Sequence, residues 1–388
     1  MMRQADTRRK LGLVLSGGGA RAAYQVGVLK AISECLPKDA PNPFQVICGT
    51  SAGAINSAAL AIYAERFPEA VQRLLRVWRN FRVDKVFRAD LPGIVKTGAH
   101  WLLAMMAGGL GKRNPVSLFD RAPLRTLLQH YMPCDRINRS LEAGALDALG
   151  ITASGYNSGQ SVTFFQGTEG IDSWNRASRL GFRTDITIDH LMASSAIPFV
   201  FAAEKLNREY FGDGSMRQSA PLSPALHMGA ERILVIGVTN HRISVERNAD
   251  PGYPTLAEIG GHIMNSIFLD GLQADLERLN RINDTLARIP SRQLEEPGVR
   301  LRHVESLVIS PSEDLQKIAE KHMHHLPWTV RFFLRGLGAL NRNGSSLVSY
   351  LLFEKSYCRE LIALGYDDAM RQRERLIQFV CQPGPDTR

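Results

Sequence analysis

The chain has 388 residues, of which 44% are hydrophobic and 22% charged, a composition typical of a soluble globular protein with a large core. Its 47 basic and 38 acidic residues give a net charge of +9, which suits an anionic partner such as nucleic acid or lipid head groups. No block of like charge and no basic–aromatic motif indicates nucleic-acid binding, so we expect a lipid partner or a merely basic surface.

Cysteine spacing and apolar runs limit the protein class further. The five cysteines are scattered without a C-x-x-C pair, which argues against a disulfide framework or a zinc site. The charged start MMRQADTRRK precedes an apolar run that breaks at three glycines, unlike a signal peptide. The longest uncharged stretch, Thr97 to Gly111, has 15 residues and is short for a membrane span. We therefore predict a cytoplasmic protein, with a peripheral position on the inner face of a membrane left open.

The first two predicted elements are buried strands that each run into a helix. Leu11–Leu15 is uniformly apolar and ends at a glycine-rich turn, after which a helix is predicted from about Arg21 to Glu34. Phe44–Cys48 is a second apolar strand, and an alanine-rich helix follows over Ala52–Ala64. Both strand–helix units have small residues at the corner, where the chain must turn sharply.

The middle of the chain alternates helical and strand patterns. Phe67–Tyr131 is mainly helical, with breaks at proline and glycine, and Gly150–Ser154 and Ser161–Phe165 form a strand pair. A helix is predicted over Thr187–Ser195, and Ile233–Val238 is a clear strand. This alternation predicts an α/β fold with a mostly parallel central sheet that is covered on both faces.

Beyond about Asn240 the pattern changes. Loops rich in proline, asparagine and arginine alternate with helical segments at Thr255–Ile289 and Leu347–Leu364. We therefore predict two units, an α/β domain over residues 11–240 and a largely helical C-terminal region over residues 241–388. The second unit is a candidate lid or membrane-contact element.

Ser51 lies between the second strand and its helix, with Gly49 and Gly53 on either side. A serine in this position can cap the helix in a tight turn. A G-x-S-x-G sequence between a strand and a helix is also typical of a strained elbow that exposes a nucleophilic hydroxyl. The local residues leave both interpretations open, because a nucleophile also needs a base and an oxyanion hole.

The sequence SGGGARAA, residues 16–23, places glycines where the first strand turns into a helix. Such a loop points backbone N–H groups outward, beside the positive end of the helix dipole. A dinucleotide-binding fingerprint is disfavoured because Ala22 takes the last glycine position and no acidic residue ends a second strand. No Gly-Lys-Ser/Thr follows, which excludes a Walker loop. A tight turn without a ligand and an oxyanion hole with Arg21 adding positive charge remain.

Two kinds of base are compatible with a nucleophilic serine. His227 or His241, following Asp213, would give the Ser–Asp–His order of an α/β-hydrolase, but in that fold the elbow comes later than the second strand. Asp213-Gly214 by itself is typical of an ordinary turn. A buried aspartate can also serve as the base if burial raises its pKa towards the working pH.

Four motifs occur in order along the chain, GGGARA at residues 17–22, GTSAG at 49–53, ASSAIPFVF at 193–201 and DGS at 213–215. Together they resemble the patatin-like phospholipase family, over roughly residues 11–238. The resemblance implies a three-layer patatin-like fold, a Ser51–Asp213 dyad without histidine, and no metal or organic cofactor. It also implies an oxyanion hole formed by Gly17, Gly18, Gly19, Ala20 and Arg21. The turns that support the site would contain Gly49, Gly53 and Gly214.

Two residues depart from the family pattern, Ala22 in place of the closing glycine and Ser215 in place of glycine or alanine. Neither departure removes a reacting group. The predicted function is a lipid acyl hydrolase that cleaves phospholipids or lysophospholipids, with no nucleic-acid partner and an oligomeric state that the sequence does not indicate. The alternatives are a catalytically weak lipid-binding or scaffolding protein on the same fold and, third, a nucleotide-binding α/β protein.

Two apolar segments are candidates for contact with lipid. His100–Met106 is followed by Gly108-Gly109 and is predicted either to line the acyl-chain entrance or to belong to the core. On a helical wheel of residues 327–342 the basic side chains Arg331, Arg335 and Arg342 lie on one side. This pattern predicts a helix that either rests on an anionic membrane or packs on the catalytic domain with its basic face in solvent.

Overall fold

The computed structural model of the chain describes residues 9–88, 117–239, 256–290, 293, 301–336 and 345–381. Within these residues ten strands form one sheet. In chain order the strands are β1 (Leu11–Leu15), β2 (Val46–Thr50), β3 (Ala148–Gly155), β4 (Ser161–Gly167), β5 (Trp174–Arg176), β6 (Arg179–Arg183), β7 (Glu204–Leu206), β8 (Glu209–Asp213), β9 (Arg232–Ile236) and β10 (Glu305–Ile309).

Helices connect the strands and flank the sheet. The described α-helices are α1 (Ala23–Glu34), α2 (Ala52–Ile62), α3 (Phe67–Trp78), α4 (Ala122–Tyr131), α5 (Arg136–Glu142), α6 (Ile188–Ser194), α7 (Ser223–His227), α8 (Leu256–Leu286), α9 (Leu315–His322), α10 (Trp328–Gly336), α11 (Ser345–Leu351), α12 (Lys355–Arg371) and α13 (Arg373–Cys381). Short 3-10 helices cover Gly19–Ala22, Val83–Lys85, Gly214–Arg217 and Met323–His325.

The strand order of the sheet is β10-β9-β1-β2-β3-β4-β6-β5, and the β7–β8 hairpin joins it through β3. Five neighbouring strands, β10, β9, β1, β2 and β3, run parallel to one another. β4 then runs antiparallel to β3, β6 parallel to β4, and β5 antiparallel to β6. The mostly parallel central sheet that the sequence predicts is therefore confirmed.

Both faces of the sheet are buried, as the alternation of side chains along β1 illustrates. Leu13 and Leu15 belong to one hydrophobic cluster, which they share with α1, α2 and α3. Val14 belongs to the second cluster, with Ala225 of α7 and Leu276 of α8. Because successive side chains of a strand point to opposite faces, a uniformly apolar strand such as β1 requires cover on both sides.

The segment beyond residue 240 contributes to the same sheet and core. β10 lies beside β9, while Leu315 of α9, Val348 of α11 and Leu361 of α12 belong to the cluster that contains α1. The Tyr24 hydroxyl of α1 donates a hydrogen bond to Asp368 Oδ2 of α12 at 3.0 Å. The sequence analysis did not predict β10, whose side chains are only partly buried at three of five positions.

Two other predicted elements have different bounds in the structure. β2 spans Val46–Thr50 rather than Phe44–Cys48, because its pairing with β3 continues through Thr50 opposite Thr152. The single helix predicted over Leu347–Leu364 is two helices, α11 and α12, which are separated by residues 352–354.

The apolar segment His100–Met106 and its following glycines lie outside the described residues. Among the helices that are described, none combines the length and the apolar character that a membrane crossing requires.

Candidate active site

Ser51 and Asp213 are brought together by two strands that meet end to end along β3. β2 runs parallel to β3 and pairs with it as far as Thr50 opposite Thr152. β8 approaches from the other direction, antiparallel to β3, and ends with Asp213 opposite Ala153. The carboxyl ends of β2 and β8 therefore face each other, which places Ser51, the next residue after β2, beside Asp213.

Ser51 has the backbone geometry of a strained elbow. Its φ and ψ angles are 55° and −128°, a conformation that a residue with a Cβ adopts only when its surroundings enforce it. The Ser51 N–H donates to Ser194 Oγ at 2.9 Å, and that hydroxyl donates to the Thr152 carbonyl at 2.6 Å. A Cβ at Gly53 would lie 2.4 Å from the Leu15 carbonyl oxygen, so the close approach of α2 to β1 needs a glycine.

Asp213 is fully buried, and only part of its carboxylate is satisfied. Oδ1 accepts a hydrogen bond from the Ser215 N–H at 3.0 Å, whereas Oδ2 has no hydrogen-bond partner among the described residues. Burial raises the pKa of Asp213 to about 6, although the Ser51 side chain and the Ser215 N–H both lower it. The Ser51 side chain thus lies close enough to Asp213 to lower the pKa of its carboxyl group, although Oδ2 accepts no hydrogen bond from the described residues.

Arg121, which the sequence analysis missed, also acts on Asp213. Its guanidinium is almost completely buried and donates to the carbonyls of Met192 and Ala202 and to Glu204 Oε2, the last at 3.0 Å. Its positive charge lowers the pKa of Asp213, and burial lowers the pKa of Arg121 itself to about 10. No local pattern marks this residue, because its partners lie 71 to 83 residues further along the sequence, in α6, in β7 and in the segment between them.

The glycine-rich loop lies next to this pair. The 3-10 helix Gly19–Ala22 precedes α1, and the Arg21 N–H donates to the Gly18 carbonyl at 3.1 Å. Gly19, with a φ of 54°, lines the same cavity as Ser51. The side chains of Ala20 and Ala22 are buried, and Gly17 borders a smaller cleft beside Thr50 and Ser215. The Arg21 side chain points away from the cavity, towards α11.

A buried polar network fixes the glycine-rich loop relative to the elbow. The Asn56 amide of α2 donates to Gln25 Oε1 of α1 at 2.9 Å and receives a hydrogen bond from Trp78 Nε1 at 2.9 Å. The Gln25 amide in turn donates to the Ser16 carbonyl at 2.8 Å, where β1 ends. Because these buried groups satisfy one another, the network holds the starts of α1 and α2 in one arrangement.

An apolar cavity of about 110 Å³ opens from Ser51 along α2. One wall is a stripe of side chains at helical spacing, formed by Ala52, Ile55 and Ala59 of α2 and by Tyr63, the next residue after the helix. The other walls come from α3, α4, the loop after α6 and the α11–α12 connection, and include Val77, Trp78, Leu124, Leu128, Ile197, Phe201 and Phe353. A serine hydroxyl at one end of such a cavity can meet the ester bond of a substrate whose chain lies among these side chains.

The histidines proposed as alternative bases have other surroundings. His227 stacks on Trp174 of β5 with ring centroids 4.8 Å apart, and burial lowers its pKa to about 4. His241 lies outside the described residues. No group of three His, Cys, Asp or Glu side chains that could hold a metal ion occurs in the part of the chain that the structure describes.

Comparison with known proteins identifies a family and several partial relatives. A family model described as patatin-like phospholipase matches residues 13–226, more than half of the chain. Lysophospholipase nte1 of Aspergillus terreus is 50% identical over 85 residues, which cover 20% of this chain and 5% of that protein. Patatin-like phospholipase domain-containing protein 7 of Rattus norvegicus is 30% identical over 144 residues, or 36% of this chain and 9% of that protein. The matches thus span less than a tenth of either relative.

Two solved structures are among those that the comparison matches to this chain. VipD from Legionella pneumophila has a TM-score of 0.33 and 12% identity, with 95% of this chain and 67% of that chain covered. Human GIVD cytosolic phospholipase A2 in complex with methyl gamma-linolenyl fluorophosphonate has a TM-score of 0.45 and 12% identity, with 98% and 60% covered.

The raised pKa of Asp213 predicts how stability depends on pH. Between the ordinary value of 3.8 and about 6, the folded protein binds a proton more tightly than the unfolded chain, so the free energy of unfolding falls as pH rises. Asp213→Asn lacks this loss, and its stability relative to the wild type should increase by on the order of 2–3 kcal/mol between pH 4 and pH 7. Urea unfolding of both proteins at several pH values measures this difference in the free energy of unfolding.

The exposed carboxylate Asp172 provides the matched control, because Asp172→Asn makes the same change of side chain at a position that is not buried. A difference between Asp213→Asn and the wild type that does not grow between pH 4 and pH 7 would show that Asp213 has an ordinary pKa.

Proposed function

Because the chain belongs to the patatin-like phospholipase family, we propose that it hydrolyses carboxylic esters of phospholipids or lysophospholipids. The observation that carries this proposal is the position of Ser51, a strained residue that lies beside a buried aspartate and opens into an apolar cavity. The family supports a lipid acyl hydrolase in general, and the assignment of roles to single residues is our own.

The proposed reaction uses Ser51 as nucleophile and Asp213 as base. The Ser51 hydroxyl attacks the ester carbonyl while its proton passes to Asp213 Oδ2, which has no other hydrogen-bond partner among the described residues. The negative charge on the carbonyl oxygen is held by backbone N–H groups of the glycine-rich loop around Gly18, Gly19 and Ala20. Asp213 then gives the proton to the leaving alcohol, which leaves the acyl group on Ser51. A water molecule, deprotonated by the same carboxylate, attacks this acyl-enzyme, and Asp213 returns the proton to the Ser51 oxygen as the fatty acid leaves.

A carboxyl group with a pKa of about 6 is well matched to this role. At pH 7 it is mostly ionised and can accept a proton, yet it is a stronger base than an exposed aspartate. An acyl chain in the cavity would also exclude water from the reacting groups, which strengthens the interaction of the oxyanion with its donors.

We place the acyl chain of the substrate along α2. The stripe from Ala52 to Tyr63 extends for ~16 Å at 1.5 Å per residue, enough for much of a fatty-acyl chain. Apolar side chains from α3 and α4 face the stripe across the cavity, so the chain would leave water over most of its length.

We propose residues 11–240 as the catalytic domain and the helical region beyond it as the part that meets the membrane from the cytoplasmic side. On α10, Val330 and Leu334 are buried, whereas Trp328 and Phe332 are 59% and 72% exposed, one helical turn apart. Arg335 is exposed and Arg331 half-buried, so basic and aromatic side chains share the outer side of the helix. Such a surface suits an anionic lipid interface. Arg342 lies outside the described residues.

The dyad makes the first functional prediction. Ser51→Ala and Asp213→Asn should each reduce kcat/KM on a soluble short-chain ester by roughly 10³-fold or more, and the double variant should be little worse, because the two residues act as a unit. In the wild type, kcat/KM should rise with pH with a midpoint near 6, as Asp213 loses its proton.

A fluorophosphonate probe that reacts with active serines separates the alternatives. It should label the wild type and His227→Ala but not Ser51→Ala. A folded wild type that binds lipid vesicles but is neither labelled nor active would favour the catalytically weak lipid-binding protein, and an inactive His227→Ala would contradict the Ser–Asp dyad.

The cavity predicts a dependence on acyl-chain length. Ala59→Leu places a larger side chain midway along the α2 stripe and should lower kcat/KM for a palmitoyl ester by roughly tenfold, while a butyryl ester reacts as in the wild type. Adding Ile55→Ala, one turn away on the same face, should return part of the lost volume and activity. Equal losses on both esters would place the acyl chain elsewhere.

The outer side of α10 predicts binding to anionic vesicles. Replacing Arg331 and Arg335 by glutamine should weaken binding by roughly tenfold or more at low salt, since each basic residue near the surface contributes about 1 kcal/mol. Trp328→Ala with Phe332→Ala should weaken it at all salt concentrations. Co-sedimentation measures both, with Phe182→Ala, an exposed aromatic on β6, as the control. Unchanged binding in both double variants would remove α10 as the membrane contact.

A further inference from the structure

Among the residues that the structure describes, those that form hydrogen bonds with the Arg21 side chain belong to α11, a helix more than 300 residues further along the chain. Its Nε and Nη2 both donate to Ser349 Oγ, at 2.9 and 2.6 Å, and Nη1 donates to the Tyr350 hydroxyl at 3.2 Å. The guanidinium carbon also lies 4.0 Å from the centre of the Tyr350 ring. All three side chains are at most 2% exposed, so water does not replace these contacts.

The arrangement is unusual for a buried cation. Arg21 forms no salt bridge with any residue that the structure describes, and the contacts given above are to neutral hydroxyls and the face of an aromatic ring. Removal of one hydroxyl would leave a buried charged donor without its partner, which is costly in a region that water does not reach. A hydrophobic side chain would fill the same space without that penalty, so a role in packing alone does not explain the arginine.

Ser349 is oriented to receive Arg21. Its own hydroxyl proton is donated to the Ser346 carbonyl at 2.6 Å, which turns the oxygen lone pairs towards the guanidinium. One hydroxyl therefore accepts two N–H groups of the same arginine, a geometry that fixes both the direction and the depth of the Arg21 side chain.

The backbone of α11 also touches the loop directly. A Cβ at Gly19 would lie 2.3 Å from the Tyr350 carbonyl oxygen, and Gly19 has a φ of 54° that favours glycine. Gly19 is the loop residue that lines the cavity with Ser51. The contacts of Tyr350 thus reach both the side chain of Arg21 and the backbone that faces the nucleophile.

We propose that Ser349 and Tyr350 are positioning residues for the oxyanion hole. They hold Arg21, and through it they set the orientation of the N–H groups around Gly18, Gly19 and Ala20 that receive the negative charge of the reacting ester. The C-terminal region accordingly completes the catalytic machinery of the N-terminal one. This inference rests on the proposed function, since it assigns a role in the same reaction.

The test uses the full-length protein and a soluble short-chain ester, so that membrane binding plays no part. Ser349→Ala should lower kcat by roughly 10- to 100-fold with KM within about twofold of the wild type, because the loop acts on the transition state rather than on substrate binding. The rate of fluorophosphonate labelling should fall in parallel, while labelling still goes to completion because Ser51 and Asp213 are intact. Ser349→Thr, which keeps the hydroxyl, should restore most of kcat.

Tyr350→Phe keeps the ring over the guanidinium and loses only the hydroxyl, so it should show a smaller fall in kcat and remains measurable if Ser349→Ala does not fold. Tyr357→Phe is the matched control, because it removes a buried tyrosine hydroxyl bond, to the Leu315 carbonyl at 3.2 Å, in the same region. Its kcat should equal that of the wild type.

Three outcomes would overturn the positioning role. The first is an unchanged kcat in folded Ser349→Ala and Tyr350→Phe, and the second is a rise in KM of these variants without a fall in kcat. The third is a fall in the kcat of Tyr357→Phe that equals theirs. None of these outcomes contradicts the proposed function if Ser51→Ala is inactive. Activity of Ser51→Ala would instead contradict the proposed function itself.

Discussion

The burial of a carboxyl group beside a strained serine is the constraint around which the rest of the structure is arranged. Asp213 is removed from water at the end of β8 and receives only partial compensation, from the Ser51 side chain, the Ser215 N–H and the charge of Arg121. Fuller compensation would stabilise the carboxylate but would also lower its pKa and weaken it as a base. The observed balance leaves the pKa of Asp213 at about 6, at the expense of stability at neutral pH.

The strained conformation of Ser51 is held by long-range contacts on several sides. Ser194 receives its N–H, the close approach at Gly53 holds α2 against β1, and the Asn56 network ties the start of α2 to that of α1. Strain of this kind persists only where the surroundings over-determine the backbone. The same contacts therefore hold Ser51 and the glycine-rich loop in one arrangement, as the proposed reaction, which depends on orientation, would require.

The sequence predicted the parts of the site that are encoded locally. The strand–turn–helix pattern around Ser51, the glycine-rich turn and the parallel sheet follow from apolar periodicity and small residues, and the family resemblance connected them. Arg121 and Ser349 could not be predicted, because each makes its contacts with residues that are distant in sequence. β10 was missed for a related reason, since it alternates weakly and is defined by its pairing with β9. The roles of the site residues themselves stay predictions.

One short segment of the C-terminal region, residues 349–353, contacts two parts of the candidate site. Ser349 and Tyr350 hold Arg21 of the glycine-rich loop, and Phe353, three residues later, lines the cavity proposed for the acyl chain. Phe353 also packs on Phe81, which follows α3, with ring centroids 5.6 Å apart. A displacement of this segment would consequently alter the glycine-rich loop and the cavity wall together. The proposed charge stabilisation and the proposed binding of the acyl chain would thus depend on the same few residues, which lie outside the part of the chain that the family match covers.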